Sequence, residues 1–295
     1  MNYKRIIISL CACLSYFVCM AQQAGQAEIN KAMEYYNNND IKQALYWFEQ
    51  AAIKGNKDAQ VMVACAYLDG MPGIEVNPQK AAYWCEKAAN NGDPVGQLLY
   101  GYCFARGEGK PHDMQQAISW WKKSANQNNV NAQWNLCICY TTGDGVVRDA
   151  NQSALWARKA AENGHAKAQY QLAYYYAHGE GVSKNYTLAI QWYQKSANQG
   201  YDWSYNNLAY MYADGLGVAR DFRKAHELVD MAISISPNEP SFLDSKGEIY
   251  LKENNMVKAT EIWNQLKSKF PEKVRKSAND PNDVFVITML KLERK

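Results

Sequence analysis

The chain has 295 residues, 47% of them apolar, with 8 Pro and 18 Gly, which excludes a disordered or collagen-like polymer and suffices for a substantial core. Its 32 Lys and Arg stand against 29 Asp and Glu, and no segment gathers the excess into a basic stripe, which argues against nucleic-acid binding. Aromatic content is skewed to 21 Tyr and 9 Trp against 7 Phe, rings with polar tips that interfaces use well.

Residues 1–21 read as an export signal. Lys4 and Arg5 form the charged start, Ile6 to Val18 an apolar run, and Cys19-Met20-Ala21 a small-x-Ala cleavage site. The run falls short of the ~18 to 20 apolar residues that a membrane span requires. The expectation is a soluble chain beginning at Gln22, in the periplasm or at the cell surface. Leu10-Cys11-Ala12-Cys13 offers a competing lipid-attachment box, which would leave only a stub of apolar segment ahead of the anchor; membrane contact is expected only in that case. Without the leader, 30 basic residues face 29 acidic ones, and five of the eight cysteines remain: Cys65, Cys85, Cys103, Cys137 and Cys139. An odd number leaves at least one thiol free or paired between chains.

After the leader comes a short helical pattern, Gln43-Ala44-Leu45-Tyr46-Trp47-Phe48, read as half a unit within 22–57. Three ladders then share one period. Trp84, Trp120, Trp156 and Trp192 stand 36 residues apart, as do Gly107, Gly143, Gly179 and Gly215, and Asp113, Asp149, Asn185 and Asp221. A fixed period of this length is the signature of a solenoid whose units bury their apolar faces only against neighbours. The clearest unit runs from Ala166 to Gly200. Ala168, Leu172 and Tyr176 recur at helical spacing, Gly179-x-Gly181 marks a reversal, and Leu188 to Ala197 resumes a helix that stops near Gly200.

These residues resemble the Sel-one-like repeat, a relative of the tetratricopeptide repeat: A-x-A-x-x-x-L-G-x-x-Y-x-x-G-x-G-V, then K-A-x-x-W-x-x-K-A-A-x-x-G. Five copies match over 58–236, beginning near Asp58, Asp93, Asn129, His165 and Tyr201. The first carries an inserted residue around Met71-Pro72-Gly73, and the last has Leu228 in place of the Trp. Residues 237–271, with Gly247, Tyr250, Ala259 and Trp263, are similar to an ordinary tetratricopeptide unit. The fold that the resemblance implies is all-α, a right-handed α-solenoid of antiparallel helix pairs. Residues 272–295 fall outside the repeat as a cap or tail. Pro281-Asn282-Asp283 could start a helix that lays Val284, Phe285, Ile287, Met289 and Leu290 on the last unit, although Val284 to Thr288 also suits a strand.

A helical wheel puts Ala168, Leu172, Ala173 and Tyr176 on one side of the first helix and Lys167, Tyr170, Tyr174 and His178 on the other. By resemblance, first helices line the inner concave surface. Down the five units the outward positions read Val61, Leu98, Trp134, Tyr170 and Asn206, then Cys65, Tyr102, Ile138, Tyr174 and Tyr210, with Trp203 in a flanking row. The expected anchors for a protein or peptide are Tyr102, Trp134, Tyr170, Tyr174, Tyr210 and Trp203. The competing expectation is that neighbouring first helices pack together and these rings bury one another.

Little of the chain suggests chemistry. His112, His165, His178 and His226 lie on separate elements with no metal-ligand spacing. Ser119-Trp120-Trp121-Lys122 fits an S-x-x-K string but sits inside a repeat helix beside Trp120, read as a core residue. The Gly107-x-Gly109 copies follow no strand and read as turns. Some cysteine-rich relatives were described as binding or hydrolysing β-lactams, but they carry regularly paired cysteines, and these five follow no such rule. Cys103 and Cys139 share one repeat position, roughly 10 Å apart if they keep the helix spacing, too far for a bond; Cys85 with a first-helix cysteine stays open. The reading is therefore a non-catalytic scaffold without cofactor or metal. The alternative is an enzyme on cell-wall or β-lactam-like substrates.

Overall fold

The computed structural model describes residues 24–278, 280 and 282–293; the expected leader lies outside them. The described residues hold sixteen helices and one isolated bridge, Met71 with Ile74, at the predicted insertion. The chain divides into two compact units, one through Lys159 and one from Ala160. The first contains α1 (Gln26–Asn37), α2 (Ile41–Ile53), α3 (Lys57–Asp69), α4 (Pro78–Asn90), α5 (Pro94–Arg106), α6 (Met114–Asn126), α7 (Val130–Thr142) and most of α8 (Ala150–Glu162). The second contains α9 (Ala166–His178), α10 (Tyr186–Ala197), α11 (Asp202–Asp214), α12 (Phe222–Ile235), α13 (Pro240–Lys252), α14 (Met256–Lys269), α15 (Pro271–Ser277) and α16 (Val284–Glu293). Within each unit consecutive helices pack as antiparallel pairs, and the all-α solenoid expectation holds. The N-terminal half-unit is in fact a whole pair, because α1 precedes the helix that the sequence revealed.

The ladders mark helix ends. Side chains of Asn77, Asp113, Asp149, Asn185 and Asp221 each accept the amide three residues on, capping α4, α6, α8, α10 and α12. The glycine ladder supplies the left-handed C-caps of α5, α7, α9 and α11. The tryptophan ladder is unevenly buried, with Trp84 and Trp156 enclosed and Trp120 and Trp192 half-buried. Trp120, read as core, is half-buried under the Lys123 ammonium, 3.6 Å from its ring centre, and Trp156 and Trp192 carry Lys159 and Lys195 in the same way. The core residue of that repeat is its neighbour Trp121, whose indole N–H donates to the Leu98 carbonyl.

The two helices of a pair are buried differently. On α6 only Met114, Ala117, Ile118, Trp121, Ser124 and Ala125 are buried, one face at helical spacing. On α3 every residue from Ala59 to Tyr67 is buried. The first helices of the first unit are enclosed because they also meet their own kind: α5 packs on α4 and α6 and touches α3.

A ladder of buried glutamines fixes successive pairs. Gln60, Gln97 and Gln133 donate through Nε2 to the carbonyls of Ala52, Ala89 and Ala125, near the ends of α2, α4 and α6. In the second unit Gln169 does the same to Ala161, at 3.1 Å. Their Oε1 atoms accept from the helix that follows: Asn91 to Gln60, Gln127 to Gln97 and Gln199 to Gln169. Each of these carbonyls also takes a backbone amide from the turn past its helix, from Gly55, Gly92, Asn128 and Gly164, so the glutamine is a second donor that ties the helix end to the pair that follows.

The C-terminal segment chooses helix over strand. Asp283 accepts the Val286 amide as the N-cap of α16, and Phe285, Val286 and Met289 are buried with Leu243, Trp263 and Leu266, while Val284 is exposed. Gly247 makes room, since a Cβ there would lie 2.2 Å from the Phe285 ring. One carboxyl beneath the cap is ill at ease. Asp244 has a buried Oδ1 without a partner, and burial, followed by the nearby charge of Asp283, raises its pKa to about 7. Lys273 on α15 is 3.9 Å from Asp244 and 2.5 Å from Asp283, and Glu248 adds its charge from the same helix as Asp244.

Two outcomes follow. Gln169→Leu leaves the Ala161 carbonyl with the Gly164 amide as its remaining donor and strips the Gln199 amide of its acceptor, and is expected to lower stability by about 1 kcal/mol in urea titration. Asp244, whose pKa is about 7 when folded against 3.8, contributes stability below pH 4 that is lost as pH rises through 7. Asp244→Asn should therefore match the wild type near pH 4 and have a higher urea midpoint at pH 8.

Candidate functional site

In the first unit a cavity of about 210 Å³ opens between α3, α5 and the 70–78 connection, with Cys65, Asp69, Val76, Tyr102, Cys103 and Arg106 in its wall. Helix α5 sets two of its side chains one turn apart, so the Arg106 guanidinium lies 4.9 Å above the Tyr102 ring while ion-pairing with Glu108 at 3.8 Å. Tyr102 is itself buried. Its hydroxyl accepts from Asn135 of α7 at 2.9 Å, its ring meets Trp121 edge to face, and burial raises its pKa. Trp134, the neighbour of Asn135 on α7, is half-buried. Val61 and Leu98, at the same level in earlier repeats, are buried outright. The spare face drawn by the wheel is thus corrected: in this unit it is largely a contact between first helices.

In the second unit the predicted rings keep partial exposure. Tyr170 of α9 packs on Tyr193 of α10 and on Tyr201 just before α11, with ring centres 5.7 and 5.2 Å apart. Asn207 of α11 donates to both the Tyr193 and Tyr170 hydroxyls, at 3.0 and 3.4 Å. Burial pushes the Tyr201 hydroxyl up to about 12 and the Tyr193 hydroxyl higher still, which keeps both protonated. Tyr174 stacks on His178 at 4.0 Å. On α11, Trp203 meets Phe242 of α13 edge to face at 5.0 Å. Tyr210 donates to Glu248 at 2.9 Å beneath the Lys252 ammonium, which also pairs with Asp214 at 2.8 Å. The predicted residues therefore form three small sets, around Tyr170, Tyr174 and Tyr210, and Trp203 joins α11 to α13.

Sequence reasoning missed Asn135 and Asn207, which hold the tyrosines. The two sit at one repeat position, two periods apart, and that recurrence was the available signal. It also missed His165, which takes the place of Asn56, Asp93 and Asn129 as a helix N-cap. Its Nδ1 accepts the Ala168 amide at 3.1 Å, and burial lowers its pKa to about 4, leaving it neutral. His226 contacts Glu253 at 3.1 Å and stacks on Tyr250. Among the described residues no group of three or more His, Cys, Asp or Glu has metal-binding geometry. Ser119 and Lys122 are exposed on the surface of α6.

Comparison with known proteins agrees with this architecture. The Sel1 repeat model matches residues 38–56, 57–93, 94–129, 130–165, 166–201 and 204–234, so the α1–α2 pair enters the array with a partial repeat. Among solved structures, the chain is similar to a protective antigen present in uropathogenic Escherichia coli strains displaying an SLR fold. That match has 28% identity and a TM-score of 0.68 over 83% of this chain and 61% of that one, so the chain spans less than two thirds of the antigen's length. A Sel1 repeat protein from Oxalobacter formigenes matches at 26% identity with a TM-score of 0.66, over 76% of this chain and 88% of that one. None of the curated proteins matches the chain. Six repeat matches in register with the observed helix pairs establish that this chain belongs to the Sel1 repeat family.

Proposed function

We propose that this Sel1 repeat protein is an exported, non-catalytic scaffold that binds a protein or peptide through the aromatic side chains of its first helices. The observation that carries the reading is the state of those rings. Tyr170, Tyr174, Trp203 and Tyr210 are half-buried, and each is packed or hydrogen-bonded from below while part of its surface reaches solvent. A ring already fixed in place loses little rotamer entropy when a partner covers it, which is what binding anchors require. Charged groups of opposite sign stand beside the Tyr210 set, in Asp214, Lys252 and Glu248, and supply the polar rim that separates right partners from wrong ones. The twenty-one residues ahead of Gln22 supply the export address, and the periplasm or cell surface is the proposed location.

The test is capture of a partner from a periplasm and membrane extract, followed by affinity measurements with the purified partner. Trp134→Ala and Tyr170→Ala are each expected to weaken binding by about 2 kcal/mol, or roughly 30-fold, with the circular-dichroism spectrum retained. Equal affinity of folded variants and wild type would remove these rings from the interface. N-terminal sequencing of the exported chain should begin at Gln22.

A further inference from the structure

The cavity of about 210 Å³ in the first unit lies where the repeat breaks its own period. Between α3 and α4 the connection is eight residues long, 70–77, against seven in 107–113 and 143–149, and the Met71–Ile74 bridge lies within it. The turn of the next repeat shuts one side, since a Cβ on Gly109 would meet the Pro78 carbonyl at 2.1 Å. The floor is mainly apolar: Leu99, the Tyr102 ring and the Cys65 and Cys103 sulfurs are buried. The mouth is open and charged, with Val76 and Asp69 exposed and Arg106 half-buried. Asp69 and Arg106 are the last residues of α3 and α5, so opposite charges stand at one repeat position on neighbouring first helices, both in the cavity wall.

We propose that this cavity binds a free apolar amino acid, of the size of leucine, methionine or phenylalanine, in its zwitterionic form. The side chain fills the floor, since a cavity of roughly 150 Å³ already takes a benzene. Arg106 receives the carboxylate. Its guanidinium is stacked 4.9 Å above the Tyr102 ring, which Asn135 and Trp121 hold in turn. Among the described residues that guanidinium donates no hydrogen bond, because its ion pair with Glu108, at 3.8 Å, is beyond hydrogen-bond length. Stacking leaves the N–H edge of a guanidinium available, and a carboxylate matches that edge with two parallel bonds. Asp69 receives the ammonium. With Asp69 and Glu108 set against one Arg106 in the wall, a simple apolar carboxylate would add a third negative charge, and a simple apolar amine would leave the guanidinium edge unused. The zwitterion uses both signs and brings no net charge. The site works independently of any protein partner.

The experiment titrates the full chain with L-leucine, L-methionine and L-phenylalanine in a calorimeter, beside glycine and the amide and N-acetyl derivatives of the tightest binder. At least one of the three amino acids is expected to bind. Glycine lacks the apolar side chain, the amide lacks the carboxylate and the N-acetyl derivative lacks the ammonium, and each is expected to bind about ten-fold or more weakly. Arg106→Met and Asp69→Asn should each weaken the tightest binder by about ten-fold, with the circular-dichroism spectrum retained. The comparison compounds act on the unaltered chain, so the outcome does not depend on the variants folding. A chain that takes up none of the three amino acids at about 10 mM, an amide or N-acetyl derivative that binds as tightly as its parent, glycine binding equally well, or a folded Arg106→Met or Asp69→Asn chain with unchanged affinity would each overturn the proposal.

Discussion

The end of a helix is where this fold is decided. Each second helix finishes on a carbonyl that takes the amide of the turn beyond it, and the next first helix enters with a glutamine that adds a second donor to the same oxygen. Because the same side chain also accepts from a later helix, the bond sets the distance and the rotation between successive pairs. A bond made only between neighbours also makes each repeat depend on the one beside it, as solenoid energetics require. The fifth repeat has Tyr205 at this position, and serines take over the linkage. Ser204 donates to Ser196, which donates to the Ala166 carbonyl. The equivalent Ser124 reaches the Pro94 carbonyl in the first unit, so the serine linkage is a second rung of the same design.

Periodicity made the repeat visible, and the ladders of Gly and Asp or Asn were legible because a turn and a cap place chemical demands on single residues. The polar ladder was overlooked although it keeps the same period, since a glutamine reads as a surface residue until something polar and buried is found to face it. The helical wheel failed on first helices for a related reason. A wheel divides a helix into a covered and an open half, whereas α5 has α3, α4 and α6 around it. Val61, Leu98 and Tyr102 consequently lie in packing contacts. Trp120 and Trp121 show the converse. Both are large and adjacent, and only the geometry of the pair tells which ring enters the core and which lies under Lys123.

The C-terminal cap separates what is local from what is not. A cap residue followed by apolar positions announced α16, and Asp283 fills that role as the sequence suggested. The discomfort of Asp244 was invisible, because it arises where α13, α15 and the start of α16 converge and bring Lys273, Asp283 and Glu248 around one carboxyl. The space for Phe285 was equally hidden: Gly247 looks like an ordinary repeat glycine, yet its missing Cβ is what admits the ring. A solenoid end must be covered, and here the covering depends on side chains from three elements.

A frame this regular cannot itself distinguish partners, since the caps, glycines and glutamines repeat. In the proposed scaffold, selectivity would reside in positions that the period leaves unconstrained. At one such level the residues are Trp134 in the first unit and Tyr170 in the second; at the next they are Tyr102, then Tyr174 and Tyr210. Asn135 and Asn207 hold the tyrosines beside them by hydroxyl hydrogen bonds, turning a variable residue into a fixed one. If the chain is the scaffold proposed above, the regular frame serves recognition indirectly. It spends its hydrogen bonds on holding unlike side chains still at regular intervals, and the sequence of those side chains, rather than the repeat itself, is where a partner would be read.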